Sequence, residues 1–276
     1  MNSTIGFIGA GNMASSLIGG MINKGFSPEN ILACDPSEEQ LEKLKSSVDQ
    51  GQHLQLFADS KNIDKADIVV LAVKPQILKT VALDLAPRLI ESAMVISIAA
   101  GIDMNSLESW LGNCAIVRCM PNTPALIELG AAGLFANSLT TEDQKNEAKA
   151  ILESVGTAYW VDSEKLIDVV TAVSGSGPAY FFMFMEYMTE IGVEMGLPAD
   201  ISEALAVQTC LGAGALANKS GDDLSTLREN VTSKGGTTYA ALESFRANDL
   251  KEIVAKAMQA CADRAAEMAE EFGDQK

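Results

Sequence analysis

Residues 4–14 read TIGFIGAGNMA: an apolar run from Thr4 to Ile8, then Gly9, Gly11 and Ala14 in the spacing G-x-G-x-x-[GA]. The next residues, ASSLIGGMINKG, carry a helical pattern. A strand, a glycine-rich turn and a helix in immediate succession form the context in which this spacing has a physical meaning. The first glycine permits the tight turn, the second lets a pyrophosphate approach the backbone at the helix N-terminus, and the small third residue allows helix and strand to pack closely. Asn12 and Met13 fall on the same first turn. A second apolar run, ILAC, ends at Asp35, about twenty residues past the loop, where an acidic residue accepts ribose hydroxyls in such units. The competing reading is a solvated turn aspartate before Pro36.

Further apolar runs follow: LQLF (54–57), DIVVLAV (67–73), MVISIA (94–99), AIVRCM (115–120), GAAGLF (130–135) and AYWV (158–161). Short β-rich runs separated by crossover segments predict a mostly parallel, doubly wound sheet of Rossmann type, extending to about residue 162. From residue 163 to 276 the strand pattern stops. The helix predicted from Pro178 places Glu186, Glu190 and Glu194 on one stripe and Phe184, Met188, Ile191 and Met195 on another, and Gly196 with Pro198 ends it. An Asp200–Glu203 capping pattern opens the next helix, and the last starts near Asp249. So few aromatics and so many small residues predict that the helical half packs against a second subunit. The expected architecture is a nucleotide-binding domain, 1–162, followed by an all-helical dimerisation domain, 163–276.

With 276 residues the chain can bury a substantial core, and 37 Asp plus Glu against 20 Lys plus Arg give a formal charge of −17. That charge repels phosphate backbones and anionic membrane surfaces, which argues against a nucleic-acid partner. Cys34, Cys114, Cys119, Cys210 and Cys261 are scattered and never spaced as C-x-x-C, consistent with a reducing cytoplasm and with no structural metal. The N-terminus lacks a basic region and reaches glycines early, unlike a secretory signal. The longest uncharged run, Val169 to Met185, is interrupted by GSGP and reads as too short to span a bilayer. The one histidine, His53, lies in a polar stretch, so a His acid/base is not expected.

The segment 229–242, ENVTSKGGTTYAAL, packs a glycine pair between four hydroxyls, Thr232, Ser233, Thr237 and Thr238. Gly235 and Gly236 expose bare amides, and the following YAALESF runs on as a helix. Hydroxyls and free N–H groups at a helix N-terminus favour an anion. Simple capping is the plainer alternative, though one hydroxyl suffices for that.

Five blocks in order, GFIGAGNMA (6–14), AVKPQ (72–76), CMPNTPA (119–125), TAVSGSGPAYFF (171–182) and ENVTSKGGTTYAAL (229–242), make the chain resemble the pyrroline-5-carboxylate reductases over essentially its whole length. The resemblance implies hydride transfer from NADPH or NADH to the C=N carbon of a cyclic imine carboxylate, giving proline, with no metal. It implies that Ser233, Gly235, Gly236 and Thr237 cradle the carboxylate and that Thr238 bonds the ring nitrogen, Ser233 and Thr238 serving catalysis by position. Ala72, Val73, Lys74 and Pro75 would lie along the nicotinamide, with Asn122 at the next sheet edge; Lys74 reads equally as a surface lysine and Asn122 as a turn residue. It further implies a homodimer, often assembled into a ring of dimers.

Asp35 favours NADH, because a 2′-phosphate would bring negative charge against it and no Arg or Lys lies between Asp35 and Lys43. Ser37 offers the alternative contact if NADPH binds. Two other readings are weighed. A β-hydroxyacid dehydrogenase would place a lysine, with an asparagine one turn later, where this chain has SGSGPAYFFMFMEYM. A non-catalytic dinucleotide-binding module would have no use for the hydroxyl-glycine segment.

Overall fold

The structure is a computed structural model that describes residues 3–273. Each apolar run named above forms a strand: β1 Ile5–Ile8, β2 Ile31–Cys34, β3 Gln55–Phe57, β4 Ile68–Leu71, β5 Met94–Ser97, β6 Ala115–Met120, β7 Gly130–Ala136 and β8 Gly156–Trp160. Among the described residues they form one eight-stranded sheet in the order β3-β2-β1-β4-β5-β6-β7-β8, parallel except where β6 meets β7. β1, β2, β4 and β5 are buried along their whole length, so they read as continuous apolar runs rather than as alternation. Successive residues serve opposite faces. Phe7 joins a core with Leu17, Leu44 and Ile151, and Ile8 joins one with Leu78, Leu107 and Trp110.

Those cores are completed by α1 Asn12–Asn23, α2 Glu38–Ser47, α3 Pro75–Leu85, α4 Met104–Leu111 and α5 Glu142–Glu153. Strand order reverses between β2-β1 and β1-β4, which opens a crevice at the carboxyl ends of those strands. On the α4 face, the buried Arg118 of β6 pairs with Glu164. Glu164 also accepts the Met104 amide at 2.5 Å. Asp168, one turn further along, faces the same cavity of about 520 Å³.

After β8 the chain becomes helical: α6 Lys165–Val170, a π-helical turn Thr171–Gly175, α7 Gly177–Glu194, α8 Ala199–Ser220, α9 Leu224–Asn230, α10 Thr237–Ala247 and α11 Leu250–Gly273. The expected interruption at GSGP is corrected here. The π turn absorbs the glycines, and Pro178 stands in the first turn of α7, where its missing N–H has no ladder partner to lose. Lys165–Glu194 is thereby long and apolar enough, by length and composition, to cross a membrane. The Asp200–Glu203 cap is also not formed: α8 starts at Ala199 behind Pro198 without a side-chain cap bond.

By compactness the chain divides into residues up to Ser176 together with those from Cys261 onward, and a second unit, Gly177–Ala260. This differs from the pattern-based division at 162/163 because α6 and the end of α11 pack on the sheet unit. A Cβ on Gly133 would lie 2.6 Å from Val170, and one on Gly101 would lie 2.6 Å from Met268.

Within the second unit, Gly192 lets α7 approach α8. Its missing Cβ would sit 2.2 Å from the hydroxyl of Ser202, which donates to the Thr189 carbonyl at 2.9 Å. Phe184 and Phe245 meet with ring centroids 6.2 Å apart and planes tilted by 45°. Much of the remaining apolar surface is open: Phe181 and Phe182 are each 61% exposed and Met195 83%. A patch of this extent marks a protein interface.

Candidate active site

The crevice at the strand reversal is a groove of about 740 Å³, lined by Gly9, Gly11 and Asn12 from the first loop, Asp35 after β2, Asp59 and Ser60 after β3, and Ala72, Val73 and Lys74 after β4. Local sequence accounts for its shape. Gly9 takes φ +100°, and a Cβ there would be 2.6 Å from the Ala72 carbonyl, so only glycine lets the two loops meet. A Cβ on Gly11 would meet nothing within 4 Å: it would project into the open groove. Gly11 caps α1 with no side-chain bond, and the first ladder amide is that of Ser15. The amides of Asn12, Met13 and Ala14 thus stand at the positive end of α1 without ladder partners, a fit for a pyrophosphate. The Ala14 side chain itself is buried and Met13 packs on the core.

Asp35 accepts the Ala10 amide through Oδ2 and the Ser37 amide through Oδ1, each at 2.9 Å. Ser37 caps α2, accepting the Gln40 amide at 3.3 Å, and Glu38 and Glu39 follow in the first turn. The Lys61 amide holds the Asp59 carboxyl below its ordinary range. Asp35, Asp59, Asp84 and Lys74 line the groove; Asp59 pairs with Lys61 at 3.5 Å and Asp84 with Arg88 at 2.6 Å. Lys74 precedes α3 and Pro75 is that helix's first residue. Burial pushes the Cys34 thiol up to about 11, partly offset by its bond with the Gly9 amide, which makes it a poor nucleophile.

Asn122 lies elsewhere. It is buried, its amide donates to the Ser174 carbonyl at 3.0 Å, and its oxygen accepts the Ala131 amide at 2.9 Å. Both ends of the side chain are occupied in holding β7 to the π turn.

In the second unit, Ser233–Gly236 closes a turn through the Gly236 amide and the Ser233 carbonyl at 3.0 Å. Gly235, at the third position, has φ +72°, the conformation a type II turn requires of glycine. Gly236 caps α10 without a side-chain bond, and the ladder begins with the Ala240 amide. The amides of Thr237, Thr238 and Tyr239 are consequently outside the ladder, with the exposed Ser233 hydroxyl and the half-buried Thr238 beside them. Thr232 is turned away, donating to the Arg228 carbonyl at 2.6 Å. The turn offers one set of anion donors and an adjacent hydroxyl, with Lys234 as its one ionisable side chain.

Sequence reading missed the far wall of the groove, formed by Ala58, Ser60, Ile77, Thr80, Val81 and Asp84. Two signals point there. The residues after β3 belong to the same carboxyl edge as Asp35, and Ile77, Thr80, Val81 and Asp84 recur at helical spacing on α3.

Residues 164–268 match the family model described as pyrroline-5-carboxylate reductase dimerisation, and residues 4–101 match one described as NADP oxidoreductase coenzyme F420-dependent. A pyrroline-5-carboxylate reductase of Pseudomonas aeruginosa is 47% identical over 272 residues, 98% of each chain. The structure of a pyrroline-5-carboxylate reductase from Coxiella burnetii superposes with a TM-score of 0.92 at 40% identity, covering 98% of this chain and 99% of that one. One from Plasmodium falciparum, determined with NADP bound, gives 0.83 at 31% identity, covering 97% and 98%.

Proposed function

The chain belongs to the pyrroline-5-carboxylate reductase family, and from that membership we propose that it reduces the C=N bond of 1-pyrroline-5-carboxylate to give L-proline. It is an NAD(P)-dependent oxidoreductase. The observation that carries the substrate reading is the Ser233–Gly236 turn with the open amides of α10 behind it. A pyrroline carboxylate presents one anion and one polar nitrogen a few ångströms apart. The open amides of Thr237, Thr238 and Tyr239 suit the anion, and the Thr238 hydroxyl suits the nitrogen.

When bound, the reduced nicotinamide supplies the hydride. The chain's residues contribute position and electrostatics. Gly9, Gly11 and the first-turn amides of α1 would hold the pyrophosphate, Asp35 would take the ribose, and Ala72 to Pro75 would border the nicotinamide. Thr238 orients the ring nitrogen, and the protonated iminium accepts hydride more readily than the neutral imine. Asp35 in the groove, with Glu38 and Glu39 beside Ser37, supports NADH as the preferred donor over NADPH.

The dimerisation match and the exposed apolar faces of α7 and α8 support self-association. We read the 30-residue apolar helix as part of that interface rather than as a membrane span. A ring of dimers and a cytoplasmic location complete the proposal, the latter supported by five free cysteines.

The substrate reading is tested by a crystal structure with L-proline bound. Its carboxylate is expected within hydrogen-bond distance of residues 233–238. Density for proline elsewhere, with that turn empty, would overturn the assignment.

A further inference from the structure

Gly9, at φ +100°, can turn its following peptide in more than one direction, so the orientation of the Ala10 amide is not set by sterics alone. Neighbouring groups are committed to the sheet: the Gly9 amide bonds the Cys34 carbonyl at 2.8 Å, and the Asp35 amide bonds the Phe57 carbonyl at 3.1 Å. Ala10 provides the first amide beyond that ladder, and it points to Asp35 Oδ2 at 2.9 Å. Oδ1 is fixed in turn by the Ser37 amide at 2.9 Å. Both bonds go to a carboxylate, and each carboxylate oxygen retains further acceptor capacity.

We infer that Asp35 is a positioning residue for the glycine-rich loop. Its carboxylate braces the Ala10 and Ser37 amides against each other, so the pyrophosphate subsite is shaped before any cofactor arrives. This role is separate from discrimination at the ribose, and it rests on the reading of the groove as a dinucleotide site. It makes a distinct demand. Loss of the carboxylate should weaken every ligand that uses the loop, including one that cannot reach Asp35 through ribose hydroxyls.

The experiment uses the full-length protein, wild type, Asp35→Ser and Asp35→Asn, with no pyrroline present, so its outcome is independent of the substrate assignment. Kd is read from the fluorescence of the bound reduced nicotinamide, for NADH and for an NADH analogue lacking both hydroxyls of its adenosine ribose. Hydrogen exchange at the Ala10 amide is followed in the cofactor-free proteins. In Asp35→Ser both ligands are expected to weaken in parallel, by about tenfold, and Ala10 exchange to accelerate by a similar factor. Asp35→Asn keeps one acceptor oxygen and should fall between; it carries the comparison alone if the serine variant does not fold. The inference is overturned if only NADH weakens while the analogue is unaffected, or if Ala10 exchanges equally fast in wild type and variants.

Discussion

A Cβ placed on Gly236 would stand 2.4 Å from the Ser233 hydroxyl and 3.1 Å from the Ser233 carbonyl. The two residues are the ends of one turn, joined by a 3.0 Å hydrogen bond, and the hydroxyl occupies the space a side chain would need. Gly236→Val is therefore expected to displace Ser233 and close the carboxylate cradle. Substrate KM should rise beyond measurement while NADH affinity, which depends on the other unit, stays within about twofold. Loss of NADH binding together with substrate binding would point to general misfolding instead.

Thr238→Ala removes a hydroxyl set beside open amides at the start of α10. Turnover is expected to fall on the order of tenfold to a thousandfold, the range for losing one positioned donor, with cofactor Kd unchanged. Unaltered kcat and KM would remove Thr238 from the site.

Gly9→Ala meets two penalties, a backbone at φ +100° and a carbonyl of Ala72 at 2.6 Å. The strained conformation alone costs about 1–3 kcal/mol, so thermal denaturation should show a lower Tm and NADH titration a weakened Kd. Gly11→Ala is the contrasting case. Its Cβ has open space, so Tm should hold and only cofactor affinity should drop.

Asp168 gives a pH prediction. Burial raises its carboxyl above the ordinary range, against the pull of nearby Arg118 and with the help of Glu164. A raised folded-state value means that the ionised form destabilises the fold. The penalty is absent below the unfolded pKa and grows as pH rises through the folded one. Asp168→Asn is thus expected to raise Tm at neutral pH and to leave it nearly unchanged near pH 3. A lower Tm at pH 7 would show that the ionised carboxylate is serving Arg118 as a needed partner.

Most of the architecture was readable because β1, β2, β4 and β5 are buried along their whole length and therefore announce themselves as unbroken apolar runs. The partly exposed β3 and β8 were found as short apolar runs as well. The π turn was not readable: S-G-S-G-P carries the same residues as a chain break, and only packing of Val170 against Gly133 and of Met120 against Gly175 decides between them. The polar groups of Asp35 and Asn122 were visible as residue types. Their partners, at separations of 25 residues for Ala10 and 52 for Ser174, depend on how distant turns converge. The Ser233–Gly236 turn was the most legible feature of the second unit, because its glycine requirement is local.

Self-association through the helical unit is tested by charge. Phe182→Glu with Ile191→Glu places two carboxylates on surfaces that are 61% and 50% exposed in one subunit. Light scattering should show a dimer or larger assembly for the wild type and a monomer for the variant. Equal masses would place the contact elsewhere.

The proposed cofactor preference rests on Asp35. The value of kcat/KM is expected to be higher for NADH than for NADPH, since its carboxylate opposes an added phosphate. A tenfold preference for NADPH would show that Asp35 turns away from the ribose.

The central claim, that this chain is a reductase of a cyclic imine, is tested most directly by mixing the purified protein with 1-pyrroline-5-carboxylate and NADH or NADPH and following the reduced-nicotinamide absorbance. The expected result is a decay that depends on both the protein and the pyrroline, with one L-proline formed for each nicotinamide oxidised. A folded protein that binds the dinucleotide yet leaves the absorbance unchanged with both cofactors would contradict it.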